Sequence, residues 1–320
     1  MLMKIMKKIF KLDLSAQLYI FFYMIILYIN KNMIKYIIIF YVILSCLWIF
    51  YKIKNYKFNN WMLNTKMVKF LNNKKILWVY WDDLDGFENR YEYIKLCLET
   101  IQKHSQDFTL IMLSNDNIEK YLPELIEIKY HINLEKLLLP QKVDLYRIML
   151  MYKYGGFYMD ADTILLNSPI KLYDMLEKYD YIGFGCTGTK CFPEDGYGYP
   201  SNSIIISKKN TKLMKNIFNN IIIRLQQNTN FKDDKNYFEI GKFAIWEELN
   251  KLIKKENYKY YHIISEIGIR DTKGKWVTAD RLFSSENFDF KDEDKLIMIL
   301  LYNNMMKNLR ELSRDTILYQ

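Results

Sequence analysis

Residues 155–166 read GGFYMDADTILL, and this stretch constrains the fold more than any other part of the chain. Most of it is suited to the inside of a sheet, yet it carries two aspartates, Asp160 and Asp162, one residue apart. Burying an ionised carboxylate is costly unless a cation pairs with it. In an extended strand the side-chain period is two, so Asp160 and Asp162 are expected on one face. Two carboxylates there repel, and either a divalent ion or a basic side chain relieves them. Hard oxygen ligands suit Mg²⁺ or Mn²⁺. A metal at a sheet end with open positions would hold a diphosphate and neutralise charge on a departing phosphate.

The preceding segment, DLYRIMLMYKY (144–154), has the pattern of a buried helix stopped by Gly155-Gly156. Asp144 and Arg147 lie three apart on it and share a face. The double glycine lets the helix fold back on the strand, so that Asp144, Arg147, Asp160 and Asp162 gather in one cleft.

Around this centre the chain alternates strand and helix patterns. Residues 75–81 (KILWVYW) and 108–114 (FTLIMLS) read as strands, and so do 179–186 and 201–207. Residues 89–104, 141–154, 211–227 and 241–255 read as helices. The alternation predicts an α/β sheet flanked by helices. Residues 187–200, rich in Gly and Pro, form the longest loop signal.

The amino end has a different character. Residues 18–29 (LYIFFYMIILYI) and 33–51 (MIKYIIIFYVILSCLWIFY) are apolar runs, the second about long enough to cross a bilayer. Residues 1–51 are therefore expected to be a membrane anchor of one or two transmembrane helices, 52–72 a polar linker, and 73–320 the catalytic domain. Lys4, Lys7, Lys8 and Lys11 precede the first run, and Lys52, Lys54 and Lys57 follow the second. A hairpin with both ends cytosolic satisfies the positive-inside tendency and is favoured. The rival is a single anchor with the catalytic domain lumenal.

The formal net charge is +9 on 320 residues, but the lysines are dispersed. No dense basic block interleaved with aromatics marks a nucleic-acid partner. A membrane surface or an anionic donor accounts for the charge equally well. Of four cysteines, Cys186 and Cys191 are close enough in sequence to pair, without metal-site spacing. With three histidines and no CxxC, zinc is not expected.

The string Asp144, Arg147, Gly155, Gly156, Tyr158, Asp160, Asp162 resembles the D-x-x-R … GG-x-[YW]-x-D-x-D pattern of the DxD glycosyltransferases. It looks most like family 32 and the capsular polysaccharide synthesis proteins, with the sugar-transferring domains of large bacterial toxins as more distant kin. Residues 74–83 are similar to the family's first strand, and 201–221 to a later strand–helix unit. The likeness covers roughly 74–225. It lacks the proline that usually opens the first strand.

The resemblance implies a GT-A-type, Rossmann-like sheet that binds a nucleotide-diphosphate sugar. It also implies a Mn²⁺ or Mg²⁺ cofactor and transfer to a glycan, glycolipid or glycoprotein with retention of configuration. Carried over by residue, Asp162 ligates the metal and Asp160 reaches the ribose or, through water, the metal. Asp144 bonds sugar hydroxyls, and Arg147 bonds sugar or phosphate oxygens. Tyr80 and Tyr158 line the donor, Asn202 lies near the sugar, and Trp78 or Trp81 either stacks on the base or is plain core.

Several other residues admit two readings. His262 is a further metal ligand or, in its apolar run, a core residue. Trp246, Glu247 and Glu248 line an acceptor or are ordinary helix residues. Lys275 or Arg281 meets diphosphate or is solvated, and Lys208 and Lys209 are expected to be solvated.

Two rival functions use the same residues. A haloacid dehalogenase-type phosphatase also places D-x-D at a strand end, with the first Asp as nucleophile. It wants Thr or Val two residues after the second Asp, where Ile164 stands, and the motif near the domain start. A catalytically inactive, membrane-bound sugar-binding protein is the other, which fold alone does not exclude.

Overall fold

The computed structural model describes residues 36, 40–48, 66–82, 92–184, 200–227, 231, 236–258, 260–263, 271–274, 282, 289 and 297–301. The chain divides into two compact units, 1–61 and 62–320. In the first unit a helix through residues 40–48 exposes Phe40, Val42, Ile43, Leu47 and Trp48. Among the described residues no helix is long and apolar enough to cross a membrane. The run 18–29 and the residues 33–35, 37–39 and 49–51 of the second run lie outside the described residues.

The second unit is a mixed α/β domain. It opens with helix α1 (Lys66–Leu71), where a linker was expected; Val68 and Leu71 bury an apolar edge there. Six strands form the main sheet: β1 (Ile76–Tyr80), β2 (Thr109–Leu113), β3 (Gly156–Asp160), β5 (Tyr181–Phe184), β6 (Ile204–Ser207) and β7 (Tyr260–Ile263). Their order is β2-β1-β3-β6-β5-β7. β1 runs parallel to both neighbours, and β6 is antiparallel to β3 and β5. β4 (Thr163–Leu165) and β8 (Met298–Leu300) form a separate antiparallel pair.

All five residues of β1 are buried, as a central strand covered on both faces requires. Alternation sorts those faces. Leu77, Val79, Phe157, Met159, Ile204 and Ile206 form one core with Leu165, Met298 and Leu300 of the small sheet. Ile101 of helix α2 (Glu92–His104) joins that core.

Trp78, Tyr80, Tyr158 and Asp160 point to the opposite face, under helix α3 (Leu139–Lys153). α3 is buried almost all round, the behaviour of a helix inside a domain. Helix α4 (Lys212–Gln227) packs on α3 and on α5 (Lys242–Glu256).

One sequence expectation is corrected here. Residues 157–166 are not one strand and its exit. The chain turns at Ala161–Asp162, and β4 leaves the main sheet to pair with β8. Asp160 and Asp162 therefore do not share a face through a period of two. Asp160 closes β3, its N–H donating to Ser203 O at 2.9 Å, while the Asp162 carbonyl accepts from Leu301 N at 3.0 Å.

Candidate functional site

From β1 the chain moves to β2 on one side and then, through α3, to β3 on the other. In open sheets with parallel strands, ligands bind outside the carboxyl ends where the strand order reverses in this way. That point lies between the ends of β1 and β3, where Tyr80 and Asp160 are register partners.

The double glycine makes the approach possible. Gly155 ends α3 with φ +67° and Gly156 has φ +109°, both in the region that favours glycine. A Cβ on Gly155 would lie 2.8 Å from Ser207 O, and one on Gly156 2.8 Å from Ile76 O. The first residues of β3 are thus pressed between β1 and β6. Trp78 locks the same corner, its indole N–H donating to Gly155 O at 2.9 Å.

On α3, Gln141, Asp144 and Arg147 form a buried stripe spaced by three. Arg147 is the hub. Its Nη2 lies 3.2 Å from Asp160 Oδ1 and its Nε 3.4 Å from Asp144 Oδ1. Nη1 donates to the Asn202 carbonyl, and the guanidinium lies 4.7 Å from the Tyr158 ring centroid. Tyr158 Oη donates to Asp160 Oδ1 at 3.2 Å, and Asn202 Nδ2 to Asp144 Oδ1 at 2.7 Å. Five of the expected site residues thus meet around one guanidinium. Asp162, in the adjoining turn, also acts on the Arg147 charge, and after burial itself it raises the pKa of the buried Cys97 thiol.

The electrostatics are lopsided. Burial pushes the Asp144 carboxyl up to about 6; Arg147 and the Asn202 amide oppose this, and Asp160 adds to it. Burial works against the Arg147 charge, but Asp160, Tyr158, Asp144 and Asp162 together outweigh it and raise its pKa. Burial is also the main cause that raises the Tyr158 hydroxyl well above its usual value. Two carboxylates, Asp144 and Asp160, therefore contact one guanidinium, and Asp162 adds to the field on it. The Asp160 side chain is partly open, 25% exposed.

The other expectations divide. Tyr80 stands beside the site, its hydroxyl donating to Asn115 Oδ1 at 2.9 Å, while the Asn115 amide donates to Asp82. Trp81 is half-buried at the end of β1, its N–H bonded to Leu113 O at 2.9 Å. Trp78 is corrected: it is fully buried against Tyr121 and Tyr154, so no ring face remains for a base.

Glu247 and Glu248 bind Lys251 and Asn220 on the outer helices, with Arg224 on Glu247 as well. Lys208 pairs with Asp180, and Lys209 donates to Asn72. Cys186, Cys191, Lys275, Arg281 and the His262 side chain lie outside the described residues.

Three residues were missed. Asn115 follows β2 in the cap-type string NDN (115–117), which by itself signals only the start of a helix. Gln141 accepts from Leu138 N at 3.0 Å and donates to Phe231 O at 2.8 Å, tying the start of α3 to the chain ahead of α5. Gly241, just before α5, abuts the Asp144–Asn202 pair. A glycine before a helix was visible in sequence, but its neighbour a hundred residues away was not.

No cluster of three or more His, Cys, Asp or Glu side chains able to hold a metal occurs among the described residues. Asp160 and Asp162 carry hard oxygen donors. That suits an ion bound through two carboxylates and substrate phosphates.

The chain matches the family described as capsular polysaccharide synthesis protein over residues 48–266. None of the curated proteins matches it. Similar solved structures include the PaToxG glycosyltransferase, 15% identical over 63% of this chain and 81% of that one, with a TM-score of 0.40. Another is the apo form of the glycosyltransferase GlyE of Streptococcus pneumoniae TIGR4, at 16%, 59%, 45% and 0.32 in the same order. The galactosyltransferase LgtC with donor and acceptor sugar analogues gives 13%, 58%, 72% and 0.29.

Proposed function

The chain belongs to the capsular polysaccharide synthesis protein family, and from that premise we propose that it transfers a sugar from a nucleotide-diphosphate sugar to a glycan, glycolipid or glycoprotein acceptor. The observation that carries the proposal is the Arg147 hub. It gathers Asp144, Asp160 and the Asn202 carbonyl at the strand-order reversal, with carboxylate in excess. Such a site takes a polyhydroxylated ligand on one side and a cation with phosphate on the other.

Asp160 and Asp162 would hold Mn²⁺ or Mg²⁺. When bound, that ion supplies charge neutralisation for a leaving diphosphate. The chain's own residues do the rest. Asp144, anchored by Asn202 and Arg147, accepts hydroxyls of the sugar. Arg147 fixes both carboxylates, and Tyr158 fixes Asp160 from below. Tyr80 and Trp81, with Asn115, form the nucleotide end at the mouth of β1. Transfer with retention of configuration is part of this proposal.

The phosphatase alternative needs Asp160 as a nucleophile, but its Oδ1 already accepts from Tyr158 and pairs with Arg147. Membrane attachment through 1–51 belongs to the same proposal, supported by the two apolar runs and the exposed apolar side chains of 40–48. Protease protection in sealed vesicles distinguishes a cytosolic from a lumenal catalytic domain.

The test is nucleotide release by the full-length protein from UDP-glucose, UDP-galactose, UDP-N-acetylglucosamine and GDP-mannose, with Mn²⁺ and with EDTA. Turnover of one donor is expected, abolished by EDTA and reduced at least about a hundredfold in Asp162→Asn. Turnover indifferent to both sinks the proposal.

A further inference from the structure

We propose that Gly241 is a positioning residue for the sugar end of the donor site: its bare backbone seats the turn 237–241 against Asp144 and Asn202 and holds their side chains toward the transferred sugar. This inference rests on the donor-site reading above.

The first observation is space. A Cβ at 241 would lie 2.6 Å from Asn202 Nδ2, 2.7 Å from Asp144 Cγ and closer still to Asp144 Oδ2. Real Cβ atoms do not approach that closely, so one of the two side chains would have to shift. Asp144 has no easy retreat: it is 6% exposed and held by Arg147. Asn202 is partly exposed and, among the described residues, its side chain is tied only to Asp144, at 2.7 Å, so it gives way first and that contact is what breaks. The φ of Gly241 is −107°, outside the left-handed region, so the need is for room and not for a glycine torsion.

The second observation is that the turn cannot drift away. Gln141, one helical turn before Asp144 on α3, reaches Tyr237 O at 3.5 Å and Phe231 O at 2.8 Å. Arg224 of α4 pairs with Glu239, two residues before Gly241. Phe243 N donates to Phe238 O at 3.1 Å, and the Gly241 carbonyl accepts from Ile245 N at 3.1 Å to open α5. The helix that carries Asp144 therefore also fixes the backbone that confines it. A side chain at 241 would act on Asp144 and Asn202, not on the turn.

Calorimetry on the full-length protein with Mn²⁺ tests this, comparing UDP and GDP with the four nucleotide sugars named above. Gly241→Ala is expected to keep the affinity for UDP or GDP within about twofold and to weaken the nucleotide sugar about tenfold, the size of one or two lost hydrogen bonds. Asn202→Ala should show the same split.

Unchanged nucleotide-sugar affinity in Gly241→Ala overturns the inference. An equal loss for nucleotide and nucleotide sugar also overturns it, since that marks general damage. Should Gly241→Ala not fold, Glu239→Ala loosens the turn from the surface; a loss confined to the nucleotide sugar supports the role, and no loss refutes it. If the wild type binds no nucleotide sugar, the donor-site reading has failed. A crystal structure of Gly241→Ala then decides the positioning role: an intact Asp144–Asn202 contact refutes it, a broken one upholds it.

Discussion

Helix α3 buries two ionic groups of opposite design. Near its end, Lys153 Nζ meets Glu124 Oε1 at 2.6 Å, both side chains fully buried, and also donates to Tyr121 O at 2.9 Å. One positive charge faces one negative charge. Two turns earlier, Arg147 faces Asp144 and Asp160 directly, with Asp162 acting on it from the turn. The first group is balanced and sealed, with the character of a structural tie. The second has surplus negative charge and an opening at Asp160. On the proposed reading, that difference is what would let the second group take a cation from outside, where the first has no use for one.

Substitutions break this contrast most strongly at the sealed pair. Lys153→Met strands Glu124 and is expected to cost about 3–5 kcal/mol, while adding Glu124→Leu recovers most of it. Urea unfolding measures both, and a double variant no better than the single one would contradict the sealed-pair description.

At the open cluster the sign reverses. Folding raises the Asp144 pKa from 3.8 to about 6. The stabilisation is therefore complete below 3.8 and lost as pH rises through about 6. Asp144→Asn should be more stable than wild type at pH 7, on the order of 2 kcal/mol, with the gap closing near pH 4. A wild type more stable at pH 7 would show the cluster to be as satisfied as the pair.

A smaller effect sharpens the comparison. At tenfold excess over its Kd, Mn²⁺ should stabilise the wild type by about 1.4 kcal/mol. Thermal melts should show no such gain for Asp160→Asn or Asp162→Asn.

The least effect belongs to the solvent side. Lys251, Asn220 and Arg224 outweigh burial and hold the Glu247 carboxyl down at about 2. Its contribution is present above about 4.5 and lost as pH falls toward 2. Because this carboxylate is well exposed, Glu247→Gln should cost less than about 1 kcal/mol at pH 7 in the same melts.

Much of this arrangement was legible in local pattern. β1, β2, α2 and α3 lie where apolar runs and helical spacing placed them, within a few residues. The convergence of Asp144, Arg147 and Asp160 followed from a helix, a double glycine and a strand in succession. What escaped depended on distant partners. β3 and β4 read as one strand because their separation depends on pairing with β8, more than 130 residues later. Trp78 looked available to a ligand because its acceptor, Gly155 O, belongs to another element. Gly241 went unnoticed because a glycine's value lies in what approaches it, and sequence does not show the visitor.

The break after Asp160 has a mechanical corollary. The two aspartates answer to different supports: Asp160 hangs from Ser203 just before β6 of the large sheet, Asp162 from Leu301 just after β8 of the small one. A displacement of β8 would be felt at Asp162 and spare Asp160, so on the proposed reading any ion held between them would be adjustable from a strand far along the chain.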